Sequence, residues 1–206
     1  MSESEIKKTP AYCWFDAEFT CLELDTARLL QVAVIVTDHE LNRLHPAEDD
    51  LNLYIRLEPD VEVSPWVAEN LSGLVAKCRS DEAVSVNEAD RRIAGMLDRY
   101  CGTPHETMAD RPVLAGNSVH NDWFLMRRFL PESIRRLHYR LLDVSSIKIQ
   151  WMDWAGKEPF DKERAELLNQ YFPGGGIDAA NAHDALFDIK ASIAELAFYR
   201  ANLKQG

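Results

Sequence analysis

No stretch of this chain approaches the roughly 20 consecutive apolar residues that span a bilayer. The polar opening, MSESEIKKTP, has no apolar core of the kind a secretory signal carries. A cytoplasmic protein without membrane contact is therefore expected. Cysteine is scarce, and Cys13, Cys21, Cys78 and Cys101 form neither a CxxC pair nor a metal-ligand spacing. Reduced thiols fit that compartment, with Cys13 as a small core residue inside an apolar strand. Internal repeats, low-complexity tracts and interdomain linkers are lacking too. The glycine-rich PGGGID is not followed by the GK[ST] of a phosphate-binding loop and reads as a flexible loop.

Positive charge is the most telling shortage. Lys and Arg number 23 against 34 Asp and Glu, giving a formal net charge of −11. Proteins that hold long nucleic acids present a basic footprint, so extended polyanion binding is disfavoured. A short phosphate-bearing substrate, which needs only one local cluster of donors, fits this charge. Acidic residues gathered around divalent metal would push the balance the same way.

What is present is an ordinary globular composition, 46% hydrophobic and 28% charged, over 206 residues. That length fits one domain over residues 1–206, with a core from about 11 to 203 and a flexible stretch over residues 1–10. AYCWFDAEF, RLLQVAVIVTD and LNLYIRLE read as three successive strands, an antiparallel meander. SPWVAENLSGLV reads as a short helix and a turn. Ser85 and Glu88 form a capping box ahead of Val86, Ala89, Ile93, Met96 and Tyr100 at helical spacing. RPVLAGNS is a short strand leading into the helical DWFLMRRFL, and Pro131 opens a helix expected to reach His138. YRLLDVSS reads as a strand running into a helix cap, followed by helices in IKIQWMDWA and KERAELLNQYF. A last helix runs from about Ala185 to Leu203 on the stripe Leu186, Ile189, Ile193, Leu196 and Leu203. The order βββαβαβα with added helices predicts an α/β fold with a mixed β-sheet flanked by helices.

The first strand carries an anomaly. Side chains two apart in a strand share a face, so Asp16 and Glu18 stand side by side among Trp14, Phe15, Ala17 and Phe19. Two unneutralised carboxylates in or near a core are costly. One reading is an edge strand with a wet face; the other is a metal site. Asp122 opens a helix directly after a predicted strand, and Asp188 borders the apolar stripe of the last helix. His183 precedes Asp188 by five residues, about 140° around a regular helix, so it belongs to the loop or first turn. Asp184 competes with Asp188 as a ligand but reads better as a helix cap. Hard carboxylate oxygens suit two Mg²⁺ or Mn²⁺ ions, and a pair of such ions is the clamp for in-line attack on a phosphodiester. A neutral His183 could then accept the proton of the attacking water. His120 reads as a solvated loop residue, and His39, His45, His105 and His138 have no assigned partner. Arg127, Arg128, Arg135 and Arg136 read either as a phosphate patch or, in preference, as a solvated helix face.

FDAEFT, with Asp122 in AGNSVHND and Asp188 in HDALFDI, resembles the DEDDh exonucleases of the DnaQ-like, ribonuclease-H-like fold. HYRLLDVSS from His138 and SIAELAFYR near the end make the resemblance greatest to the oligoribonucleases, and it runs from Tyr12 to Arg200. It implies a two-metal 3′→5′ exonuclease that cuts very short oligonucleotides, down to dinucleotides, into nucleoside 5′-monophosphates. By that resemblance Asp16 bridges both metals, Glu18 and Asp188 hold the water-activating one, Asp122 supports the second, and His183 is the general base. Leu22 and Trp66 would wedge the bases, while Ser118, Arg140 and Ser145 cap the terminal phosphate. On general grounds Trp66 reads more readily as a core residue than as a stacking one, and its match to the family position brings the two readings level. Tyr139 matches a tyrosine that reaches into a neighbouring subunit's site, which implies a homodimer. Cys21 stands where the family has a small residue, and a histidine expected after Trp66 is missing, with Glu69 and Asn70 nearby. Insertions around PAEDD and WMDWAGKEPFDKER bear, with these, on ribose against deoxyribose preference. The alternatives are a nuclease for deoxydinucleotides, a broader proofreading or RNA-trimming exonuclease, and a non-catalytic dinucleotide-binding protein.

Overall fold

Strand β1, Tyr12–Phe19, is the centre of the molecule. β2, Leu29–Thr37, pairs with it antiparallel, and β3, Leu51–Tyr54, pairs antiparallel with β2, as the meander predicts. The computed structural model describes residues 9–177 and 184–203. His183 and residues 1–8 of the expected flexible N-terminus therefore lie outside the described residues. The third strand ends at Tyr54 rather than running to Glu58, because the chain beyond it bonds elsewhere: Arg56 N–H donates to Val84 O and Leu57 N–H to Cys78 O.

The expected short helix and turn is two helices, α1 at Pro65–Asn70 and α2 at Ser72–Cys78. Val67, Leu71, Val75 and Cys78 recur at helical spacing and bury one stripe against Leu30 and Leu57, which holds the second helix in place. α3, Val86–Cys101, starts where Ser85 accepts the Glu88 N–H and stops at Gly102, whose φ of 66° is a left-handed helix end. Then come β4 at Val113–Gly116, α4 at His120–Phe129 and α5 at Pro131–Ile134. α5 falls short of His138 because the chain leaves through turns and His138 N–H is drawn back to Pro112 O. β5 is Leu141–Asp143, α6 Val144–Ala155, α7 Ala165–Tyr171 and α8 Ala185–Leu203. Leu203, assigned to the core stripe of the last helix, is instead 60% exposed at its final residue.

The sheet order is β3-β2-β1-β4-β5, with β4 and β5 running parallel to β1. This is the mixed α/β sheet that the element order predicts. Alternation on β1 divides the interior: Cys13, Phe15 and Ala17 join α3 and α4 on one face. Tyr12 and Trp14 join α6, α7 and α8 on the other. Trp14 is fully buried and donates its Nε1–H to Thr37 Oγ1 at 3.0 Å, so the ring is satisfied as well as packed. All four cysteines are free thiols, and Cys13 is fully buried. Among the described residues, no helix is long and apolar enough to cross a membrane.

Two glycines separate tight packing from open space. A Cβ on Gly116, at the end of β4, would sit 3.0 Å from Phe15 O, a backbone atom directly before Asp16. A Cβ on Gly95, within α3, would meet nothing within 4 Å. Gly116→Ala should cost about 1–3 kcal/mol of stability, and Gly95→Ala should add about 0.5–1 kcal/mol. Urea denaturation of both variants checks this, and equal effects would mean that the β1–β4 seam tolerates expansion.

A carboxylate cluster as candidate active site

The alternation that buries Trp14 carries on along β1, so Asp16 and Glu18 face α8. Antiparallel register sets Glu18 opposite Gln31 of β2, just before an irregularity between Glu18 and Phe19. Gln31 is buried, and its amide docks the start of α8: Oε1 accepts the Ala185 N–H at 3.3 Å, and Nε2 donates to Asp184 at 2.9 Å. Nε2 also donates to Asn52 Oδ1 at 2.7 Å, and Asn52 on β3 donates to Asp184 in turn. Asp184 meanwhile accepts the Leu186 and Phe187 N–H groups at 3.0 and 3.3 Å. It is the cap that sequence suggested, and it leaves Asp188, one turn on, above β1. Carboxylate oxygens of Asp16, Glu18 and Asp188 lie within 4.8 Å of one another.

Asp122 arrives from the other side of the sheet. Paired residues of β1 and β4 stop at Trp14 and Ala115, so the β4 side of β1 is open beyond that point. There the buried Asp122 carboxylate accepts the Ala17 N–H. It lies outside the close trio, yet the charges on Asp16 and Glu18 are felt there.

The electrostatics are strained. Burial first, then the charges on Asp188 and Glu18, push the Asp16 pKa well above the carboxylate range, with Lys162 opposing them. Burial, then Asp188, raises Glu18 to about 7. Burial, then Asp16, raises Asp122, against the Ala17 hydrogen bond. An all-oxygen set this crowded fits a hard divalent ion, which would remove the repulsion at its source.

A cleft of about 640 Å³ opens beside Glu18, walled by Leu22, Trp66 and Cys21. Leu22 is 89% exposed and Trp66 53%, so Trp66 is not a core residue. Ser64, which caps α1, donates its N–H to Thr20 O at 2.8 Å and ties the Trp66 wall to the end of β1. Cys21 Sγ lies 3.5 Å from Thr26 Oγ1.

Ser118 and Ser145 are also brought together, their hydroxyl oxygens 3.3 Å apart. Ser118 holds a φ of 51°, a left-handed conformation that costs a non-glycine residue about 1–2 kcal/mol. Its N–H is thereby aimed at Asp143 Oδ1, 2.9 Å away, and at Ser145 Oγ, 3.0 Å away. Tyr139 and Arg140 stand at the opposite end of β5 from Ser145. Tyr139 is 66% exposed, with the Arg140 guanidinium 5.7 Å from its ring centre. It lines a separate depression with Arg111, Trp123, Arg127 and Arg135.

The unassigned histidines have partners. His45 is buried and accepts the Val36 N–H at 3.0 Å, His105 meets Cys101 O at 2.7 Å, and His138 accepts the Arg140 N–H at 2.9 Å. His39 lies 3.3 Å from Glu40, and His120 is exposed. Of the four arginines, Arg136 pairs with Asp98 at 2.7 Å and Arg128 bonds Leu24 O at 2.6 Å, while Arg127 and Arg135 line the same depression as Tyr139. Sequence reasoning missed Gln31, Asn52, Asn117 and Glu195. The one local signal was for Glu195, which follows Asp188 by seven residues, two helical turns along the same face.

A family model described as exonuclease matches residues 13–196. The oligoribonuclease of Francisella tularensis subsp. tularensis (strain WY96-3418) is 30% identical over 193 residues, covering 92% of this chain and 94% of that protein. The oligoribonuclease of Corynebacterium diphtheriae is 32% identical over 202 residues, covering 97% and 86%. Among solved structures, E. coli exonuclease I in complex with a dA16 oligonucleotide matches with a TM-score of 0.67 and 17% identity. The match covers 95% of this chain and 42% of that one, and it is a likeness of fold: the ribonuclease-H-like fold of DnaQ-like exonucleases.

The raised carboxylates carry a signed prediction. Folded Glu18 titrates near 7, against 4.5 for a free glutamate. Between those values the native state keeps a proton that the unfolded chain has released, so this group's contribution to stability falls as pH rises through the window. In EDTA the Tm of the parent protein should decline as pH rises through this window, Glu18→Gln should flatten that decline, and saturating Mn²⁺ should do the same. Parallel curves for parent and variant in EDTA would contradict the packing described.

Proposed function

Because the chain belongs to the exonuclease family, we propose that it is a divalent-metal-dependent 3′→5′ exonuclease of very short oligonucleotides, down to dinucleotides. Its products are nucleoside 5′-monophosphates. The observation that carries this reading is the Asp16–Glu18–Asp188 cluster, whose Glu18 lines a cleft walled by an exposed leucine and tryptophan. The curated relatives, which bear the name oligoribonuclease and match along nearly their whole length, support the same activity.

Asp16, Glu18 and Asp188 would hold one Mg²⁺ or Mn²⁺, and Asp16 with Asp122 a second. Bound there, the ions stabilise negative charge on the attacking and departing oxygens of an in-line displacement. The chain's own groups do the rest. Leu22 and Trp66 hold the bases, Trp66 by stacking, which is tolerant of base identity. Ser118, Ser145 and Arg140 cap the terminal phosphate and so limit length from the far end. His183 takes the proton of the attacking water as the phosphorus–O3′ bond breaks. A chain of net charge −11 needs no basic groove for a substrate carrying one or two phosphates. The enzyme acts as one exonuclease domain in the cytoplasm, as a homodimer in which Tyr139 of each subunit reaches the site of the other.

Three measurements test this. In a length series of labelled oligonucleotides with Mn²⁺, dinucleotides should turn over fastest; equal rates on long strands would sink the short-substrate assignment. Asp16→Ala should abolish turnover while the Tm in EDTA holds or rises, since a repelling charge is gone. Trp66→Ala should raise KM by roughly 5- to 150-fold, matching the ~1–3 kcal/mol of one stacked base, with less effect on kcat.

A further inference from the structure

Glu195 is fully buried on α8, on the face of the helix that carries Asp188 two turns earlier. Its Oε1 accepts the Tyr199 hydroxyl at 3.0 Å and faces Lys148 Nζ at 3.3 Å. Its Oε2 accepts Asn117 Nδ2 at 3.0 Å and faces Lys162 Nζ at 3.6 Å. Three segments besides α8 itself thus meet on one carboxylate. None of these contacts was assigned a part in the reaction above.

The direction of the hydrogen bonds makes the cluster informative. A carboxylate flanked by two ammonium groups accepts and does not donate. Ser192 gives its hydroxyl hydrogen to Asp188 O at 2.8 Å, so toward Asn117 it also only accepts. The Asn117 amide nitrogen, 2.8 Å from Ser192 Oγ, is therefore fixed on the α8 side by two acceptors. Its Oδ1 is left facing Ser145, whose hydroxyl donates to it at 3.0 Å. With that hydrogen committed, Ser145 Oγ accepts the Ser118 N–H at 3.0 Å. Of the two serines, Ser118 keeps the hydroxyl hydrogen that can turn outward, at 3.3 Å from its neighbour.

We infer that Glu195 is a positioning residue for phosphate recognition: through Asn117 and Ser145 it sets Ser118 as the hydroxyl donor to the substrate's terminal phosphate. Ser145 is then the support of that donor, not an equal partner. The inference rests on the reading above that the Ser118–Ser145 pair meets the terminal phosphate. Glu195 touches no substrate. It fixes which way an amide faces, and the order of donors follows from there. The same helix carries Asp188, so one rigid element holds a metal ligand and the origin of this relay.

The test compares a 5′-phosphorylated dinucleotide with the matched dinucleoside monophosphate that lacks the terminal phosphate. Glu195→Gln can present a donor to Asn117 and so frees the amide to reverse. It should raise KM for the phosphorylated substrate about 10-fold, the scale of one hydrogen bond to a charged group, with kcat within about twofold and the unphosphorylated substrate unaffected. Ser118→Ala should show the same signature, and the double variant should be no worse than Ser118→Ala alone, because both break one relay. Tyr199→Phe, which touches Glu195 away from the relay, should match the parent. If Glu195→Gln does not fold, Asn117→Leu breaks the relay without exposing Glu195 to a new partner and should give the same KM shift. A Ser118→Ala effect with parental KM in Glu195→Gln or Asn117→Leu overturns the relay and leaves the phosphate reading standing. Parental KM in Ser118→Ala overturns the phosphate reading itself. An equal loss of kcat on both substrates in Glu195→Gln would mark the residue as structural only.

Discussion

Two like charges about 4 Å apart repel by ~1 kcal/mol in bulk water and by several times that where water is sparse. At the end of β1 three carboxylates stand within 4.8 Å of one another, and a fourth lies near enough to feel them. The strand bearing the first two cannot move aside, since Trp14 and Phe15 just before them are packed on opposite faces of the sheet. The charges therefore stay put, and their surroundings relieve them where they can. Asp122 takes a backbone N–H that the early end of β1–β4 pairing leaves open. Lys162 adds a positive charge from the segment between α6 and α7. What is left over is the attraction that a divalent ion would meet.

Holding repelling groups together also requires that the element bringing the third be tied down. Gln31 and Asn52 do this from two adjacent strands by bonding Asp184, whose carboxylate is already occupied with the first N–H groups of α8. The division of labour between neighbouring acids is clear. Asp184 spends its oxygens on the backbone and on two amides, while Asp188, one turn later, is among the trio. A cap residue and a member of the carboxylate cluster four apart are thus distinguished by what surrounds them, since their chemistry is the same.

That distinction was readable in the sequence, because a helix start attracts a capping acid and the apolar stripe places Asp188 at its border. The Asp16–Glu18 pair was readable too, from strict alternation along one strand, and so was the mixed sheet. The amides were not. Gln31 sits in a run of aliphatic residues, and Asn52 looks like the polar half of an alternating strand; their roles exist only through partners more than 130 residues away. Glu195 was hidden for a related reason: inside an apolar stripe, an acid reads as an interruption until the lysines that surround it are seen. The second short helix, α2, and the early end of α5 were missed because tertiary bonds, such as His138 N–H to Pro112 O, overrode local propensity.

The site is a seam. The antiparallel half of the sheet supplies Asp16, Glu18 and the dock for α8, while the βα half supplies Asp122 and the serine pair. Helix α8 follows all of them in the chain and closes over both. A ribosome delivers these parts in that order, and domains tend to fold as units when complete. A nascent chain that has the sheet but lacks α8 carries two repelling carboxylates with no third to finish the set. Such a chain has the sheet and its buried acids early, and the carboxylate trio is complete only once the last helix has docked.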